Sequence, residues 1–306
     1  MKKMLKIIGI IILIPIVLIA LLVIKNMLTP AVPNDYETTV ETGGDIEAKY
    51  ISHGKYEVSY KEEKADGEVF KKYEVYYPSN LEKENKKYPL IVLANGSGIP
   101  GSKSKALFRH YASWGFIVVG NEDESSWSGE TTDKALDYIL NENDNKDSIF
   151  YKKIDLDNIG ITGHSQGGVS VFNAITSQKH SNMYKVAVAL SPTNEELAEA
   201  LEWHYDASKI NIPIMIVTGT SGDFEIETVI PFEKLELLYS HINSKKLMMR
   251  KTGMEHGQML YAADGYVTAW FMWYLQNDNE ASKAFVGINA EILNNKLYQE
   301  QKIDLE

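Results

Sequence analysis

Six short apolar runs recur through the chain from residue 88 onward: YPLIVLA (88–94), GFIVVG (115–120), NIGITG (158–163), KVAVAL (185–190), IPIMIVTG (212–219) and KLMMRK (246–251). Each is apolar on both faces, which suits strands of a parallel sheet covered on both sides. Helix-patterned segments separate them, at 104–114, 131–143, 167–176, 194–208, 231–243 and 264–277. Strand and helix alternating in this way predict a mostly parallel, doubly wound α/β sheet. Thr193, with Glu196 three residues later, predicts a capping box at the start of 194–208. Ahead of these runs, YEVSYKEE (56–63) and VFKKYEVYYP (69–78) flank an Asp66-Gly67 pair, so an antiparallel hairpin opens the domain. Residues 191–211 leave room for one helix and no large lid domain.

The N-terminus carries a different signal. Ile7 to Ile24 is an uncharged run of 18 residues, which as a helix spans roughly 27 Å, close to the hydrocarbon core of a bilayer. A cleaved signal peptide has a shorter apolar region and a small-residue cleavage site; the following KNMLTPAVP offers none. Residues 1–27 therefore read as a membrane anchor, with a cleaved signal and a secreted product as the alternative. Lys2, Lys3 and Lys6 before the run, against Lys25 after it, place the N-terminus in the cytoplasm and the bulk of the chain outside the cell. Residues 28–49, polar with prolines and a Gly-Gly pair, read as a linker, and 50–306 as the α/β domain.

Four of the 31 bases lie in residues 1–30 with no acid, leaving 27 bases against all 42 acids, a net of −15. A body this acidic is unsuited to nucleic-acid backbones. Cysteine is absent, which removes disulfides, thiolate metal sites and a cysteine nucleophile. With no His-x-x-x-His either, no metal or cofactor is expected.

The chemistry concentrates at Gly163-His164-Ser165-Gln166-Gly167, between an apolar strand and a helix. In a G-x-S-x-G elbow the serine sits on a sharp turn with positive φ, and Gly163 and Gly167 remove the Cβ atoms that would clash. The hydroxyl then stands at a helix N-terminus, where developing negative charge is favoured. The bland alternative is a glycine-rich turn with a passive serine. A serine nucleophile needs a base oriented by a carboxylate, and in such a fold these follow in the order Ser, acid, His. Of the seven histidines, His204 and His241 fall within helical segments. His256 follows the last apolar run beside a glycine, where the base belongs. His164, next to Ser165, points to the opposite face and reads as an orienting or packing residue. Asp223 is the first carboxylate past 212–219 and is the expected acid, with Glu225 and then Glu227 as alternatives. The oxyanion hole is expected from the Gln166 N–H and from the Ser97 N–H in the loop Asn95–Gly101. Trp127, in the acidic loop 121–130, is a candidate pocket residue, a packing role being equally open.

The segment DLDNIGITGHSQGG resembles the elbow of the α/β-hydrolases grouped with dienelactone hydrolase, chlorophyllase and the bacterial cutinase-like polyester hydrolases. HYASWGFIVVG (110–120) and YVTAWFMWYLQND (266–278) are similar to the segments flanking the site in that group, and the likeness covers roughly residues 88–288. It implies a serine hydrolase of carboxylic esters, with Ser165, Asp223 and His256 as triad and the Ser97 and Gln166 amides as hole. It departs in lacking the cysteine nucleophile of dienelactone hydrolase, and in reading Ala-Asn-Gly-Ser before Gly98. With no lid expected, the site would be open and suited to bulky or polymer-borne esters. The same triad would also serve an acyltransferase or a peptidase, and the fold alone would serve a non-catalytic binding module for cell-envelope ligands.

Overall fold

The computed structural model describes residues 29–306. The apolar run Ile7–Ile24 lies outside the described residues, among which no helix is long and apolar enough to cross a membrane. Among the described residues nine strands form one sheet: β1 (Val58–Lys64), β2 (Lys72–Pro78), β3 (Tyr88–Ala94), β4 (Ile117–Asn121), β5 (Ile154–His164), β6 (Tyr184–Leu190), β7 (Ile214–Gly219), β8 (Lys246–Lys251) and β9 (Tyr298–Asp304). Their order is β1-β2-β4-β3-β5-β6-β7-β8-β9. The six strands from β3 to β8 are mutually parallel, and they are the six apolar runs. The hairpin β1–β2 pairs antiparallel onto β4 at one edge, and β9 pairs antiparallel onto β8 at the other.

Among the described residues ten α-helical segments accompany the sheet: α1 (Tyr36–Thr39), α2 (Asp45–Ile51), α3 (Lys105–Ser113), α4 (Glu130–Asp144), α5 (Gln166–Thr176), α6 (Glu195–Ala200), α7 (Phe232–His241), α8 (Asp264–Gln276), α9 (Asn279–Ser282) and α10 (Glu291–Asn294). Alternate residues of each strand enter opposite layers. Ile91 and Leu93 of β3 join Phe108 of α3 and Trp270 and Phe271 of α8 on one face. Leu90 and Val92 join Leu136 of α4, Phe172 of α5 and Leu235 of α7 on the other. This is the α/β-hydrolase fold.

Two expectations change, and one strand goes unforeseen. The segment 194–208 is helical only over Glu195–Ala200, and its cap is Asn194, whose side chain accepts from the Leu197 N–H at 3.1 Å. Thr193, expected in that role, is buried instead. Strand β9 carries no apolar run because, as an edge strand, only part of one face is covered. The largest change concerns residues 28–49, which are not a free linker from Ala31 onward. The N–H groups of Ala31 and Val32 donate to the Lys103 carbonyl at 2.9 and 3.3 Å, and Val32, Tyr36 and Tyr50 are fully buried. The Tyr36 hydroxyl donates to buried Asp264 at 2.6 Å. Glu47, also buried, accepts from Lys251 Nζ at 3.0 Å, Asn295 Nδ2 at 2.7 Å and the Tyr298 hydroxyl at 2.6 Å. This strap docks through a few widely spaced anchors, so its average composition stays polar. The domain begins near residue 31, not at 50.

Candidate active site

β5 ends at His164, and Ser165 follows at φ 58°, ψ −122° as the residue that caps α5. A Cβ on Gly163 would stand 2.3 Å from the Gly167 carbonyl oxygen, and one on Gly167 would stand 2.5 Å from that of Ala94. The sharp strand-to-helix turn therefore requires both glycines, as read from the sequence.

His256 opens a short 3₁₀ turn, His256–Leu260, beyond β8. Its Nε2 lies 2.9 Å from Ser165 Oγ and its Nδ1 lies 2.7 Å from Glu225 Oε2. Glu225 Oε1 accepts from the Ser191 hydroxyl at 2.6 Å and from the Gly219 N–H at 2.7 Å. The carboxylate is fully buried. Burial alone would raise its pKa, but the hydrogen bonds from His256, Ser191 and Gly219 together outweigh it and hold the group below the ordinary glutamate value. Glu225 is thus ionised at neutral pH.

Asp223, the acid favoured by sequence, is not on this line. It is exposed and makes no hydrogen bond to His256; Glu227 is exposed as well. The chain leaving β7 is held back at Met254, whose carbonyl accepts from the Thr220 and Ser221 N–H groups at 3.1 and 3.0 Å. It then enters a π-helical turn, Phe224–Val229, closed by the Ile230 N–H on the Glu225 carbonyl at 3.0 Å. That turn leaves Asp223 at its outer start and directs Glu225 inward. π turns are rare and concentrate at functional sites, and nothing in the string SGDFEIET announces one.

His164 places its Nε2 2.7 Å from the His256 carbonyl oxygen. A carbonyl only accepts, so Nε2 carries the proton. Burial, reinforced by the neighbouring His256, pushes the His164 pKa down to about 3. The residue is a neutral pin on the His256 segment, with ring centroids 4.5 Å apart. Its folded-state pKa lies below that of the unfolded chain, so the unfolded chain takes up the extra proton as pH falls below about 6.5. Stability should then fall by up to about 1.4 kcal/mol per pH unit from this group. Denaturant midpoints at pH 7, 6 and 5 should show a flatter acid limb in His164→Phe than in the wild type. Equal slopes would remove His164 as the source.

Gly96 stands against the elbow: a Cβ there would lie 3.1 Å from the His164 carbonyl oxygen and 3.9 Å from Ser165 Cβ. Its neighbour Ser97 lines the same space. Gln166 heads α5, so its N–H is one of the free donors of the first turn. The Gln166 side chain accepts from the Ser126 N–H at 2.9 Å, while the Ser126 hydroxyl donates to the Asn95 carbonyl at 2.5 Å. One residue thereby links the elbow to the loop bearing Ser97.

A cleft of about 540 Å³ opens over Ser165 and His256. Leu197, Leu201 and Trp203 form one wall, and Phe224, Thr228 and Val229 of the π turn form the other. Phe224 is 59% exposed and meets the His256 ring edge-on at 5.0 Å. Trp127 does not line this cleft; its carbonyl accepts from Asn173 Nδ2 at 2.9 Å. Trp203 lines it instead, because α6 stops at Ala200 and the chain turns back over the cleft. A continuous helix over 194–208, as the sequence suggests, hides that role.

A sequence model of the PET hydrolase-like family matches residues 37–301. The chain belongs to that family. No curated protein matches it. The PET hydrolase-like match begins inside α1 and ends inside β9, so it takes in both the strap and the edge strand. As a member, the chain is a serine ester hydrolase of the α/β-hydrolase type, in a family of carboxylic ester hydrolases that act on polyesters.

Proposed function

We propose that Ser165 is the nucleophile of an ester hydrolase working through an acyl-enzyme, with His256 as general base and Glu225 as its orienting acid. Ser165 Oγ attacks the acyl carbon as its proton passes to His256 Nε2, and Glu225 steadies the imidazolium that forms. The Ser97 and Gln166 N–H groups hold the oxyanion. His256 returns the proton to the leaving alcohol, then activates a water that releases the acid. The observation carrying this reading is the unbroken line Ser165–His256–Glu225 at 2.9 and 2.7 Å, opening onto an apolar cleft. Residues 191–213 between β6 and β7 hold only α6 and one 3₁₀ turn, which favours bulky or polymer-borne esters. The apolar run Ile7–Ile24 and its flanking lysines support a catalytic domain outside the membrane on a short tether.

A panel of p-nitrophenyl esters of increasing chain length, run on wild type and Ser165→Ala, tests the reading. The variant is expected to lose kcat by a factor on the order of 10⁵ and to escape labelling by a fluorophosphonate probe. Equal rates in the two proteins would refute it.

A further inference from the structure

The lining of the cleft contains no Lys, Arg, Asp or Glu; its only ionisable side chains are His164 and His256. An anionic group entering it would lose water and find no cationic partner, which is costly. Outside the lining the charge is one-sided. Glu202 sits between the lining residues Leu201 and Trp203, Asp223 precedes Phe224, and Glu227 precedes Thr228. All three carboxylates are exposed and, among the described residues, form no ion pair or side-chain hydrogen bond. Neighbouring Cα atoms are about 3.8 Å apart, so each is carried on a segment that borders the cleft. Three of the segments that frame the cleft, 191–208, 220–231 and 252–263, hold no Lys or Arg, and a fourth, around Gly96–Ile99, reaches its first lysine at Lys103. Glu196 is answered by Lys234 and Glu199 by His204, while Glu255, beside His256, is taken up by the capping box at the start of the 3₁₀ turn.

We infer that this cleft selects esters by charge: it accepts uncharged esters, favours those with a cationic alcohol group, and rejects those with an anion near the scissile bond. The inference rests on the serine-esterase reading and names the substrate class of the same site. Two effects contribute and separate with salt. The rim carboxylates act through solvent and are screened beyond about 8 Å at physiological ionic strength. The desolvation cost inside the apolar lining falls on a charge of either sign and persists in salt, so it lowers both charged esters against the neutral one, and only the rim separates cation from anion.

The test uses three butyrate esters: of choline (cationic), of 3,3-dimethylbutanol (its uncharged isostere) and of 3-hydroxypropanoate (anionic). kcat/KM is measured by pH-stat at 10 mM and 500 mM NaCl, on wild type and on a triple variant, Glu202→Gln with Asp223→Asn and Glu227→Gln. At low salt the expected order is cationic, neutral, anionic, with a cationic-to-anionic ratio of roughly 30 or more. That ratio should shrink severalfold in high salt and in the triple variant, leaving both charged esters below the neutral one. A ratio within twofold at low salt, or one that neither salt nor the triple variant alters, overturns the inference while leaving the esterase reading intact. Failure of wild type to hydrolyse any of the three would instead refute the esterase reading, and the selection with it.

Discussion

Replacing Glu225 by glutamine is expected to lower kcat by about 10⁴, the size of effect seen when a triad acid becomes an amide. The geometry gives the reason. Oε1 of Glu225 receives two donors, the Ser191 hydroxyl and the Gly219 N–H, whereas Oε2 receives only His256. The Gly219 N–H is a main-chain donor, so the amide oxygen of a glutamine must face it, and the amide NH₂ must face His256. Nδ1 would then be forced to accept, placing the imidazole proton on Nε2 and leaving it unable to deprotonate Ser165. Asp223→Asn should change turnover of a neutral ester by less than about twofold, since that residue touches neither His256 nor Glu225. Steady-state kinetics on the two variants decide between the acids. A large loss in Asp223→Asn with little in Glu225→Gln would reverse the assignment.

The second large effect is on stability. Lys251 is buried, and its Nζ donates to Glu47 Oε1 at 3.0 Å, to the Glu41 carbonyl at 2.9 Å and to the Ala262 carbonyl at 2.6 Å. Burial, its largest influence, holds its pKa below the ordinary lysine value despite Glu47. Lys251→Met leaves Glu47 buried without its counter-charge, and breaking such a pair costs about 3–5 kcal/mol. Adding Glu47→Gln should recover a good part of that loss, because no lone charge is then buried. Denaturant unfolding of the single and double variants checks both statements. A single-variant loss below about 1 kcal/mol would mean that the pair is not closed in solution.

The parallel sheet was legible because strands buried on both faces must be apolar throughout, and the runs at 88–94 through 246–251 are. Ser165 and His256 were legible for a local reason: a glycine-flanked serine between strand and helix, and a histidine just past the last apolar run. Which carboxylate meets His256 was not, since Asp223 and Glu225 lie two residues apart and only the π turn decides which faces inward. Trp203 was hidden by the early end of α6, which a capping pattern at its start does not foretell. The docking of the strap was not legible because its fixed residues, Val32, Tyr36 and Glu47, are diluted by polar neighbours. Its anchoring partners, Lys103, Lys251, Asp264 and Tyr298, are distant in sequence.

That distance bears on how the molecule is completed. Glu47 finds Lys251, Asn295 and Tyr298 at separations of 204, 248 and 251 residues. As the chain is made from its N-terminus, this carboxylate stays solvated until residues 251–298 have followed it, with nothing yet built to receive it. The parallel strands can assemble from nearer neighbours, but the seam between the strap and β9 closes only when β9 has been delivered. A nascent chain halted before Tyr298 would therefore display an unsealed flank, recognisable to proteases and chaperones as unfinished.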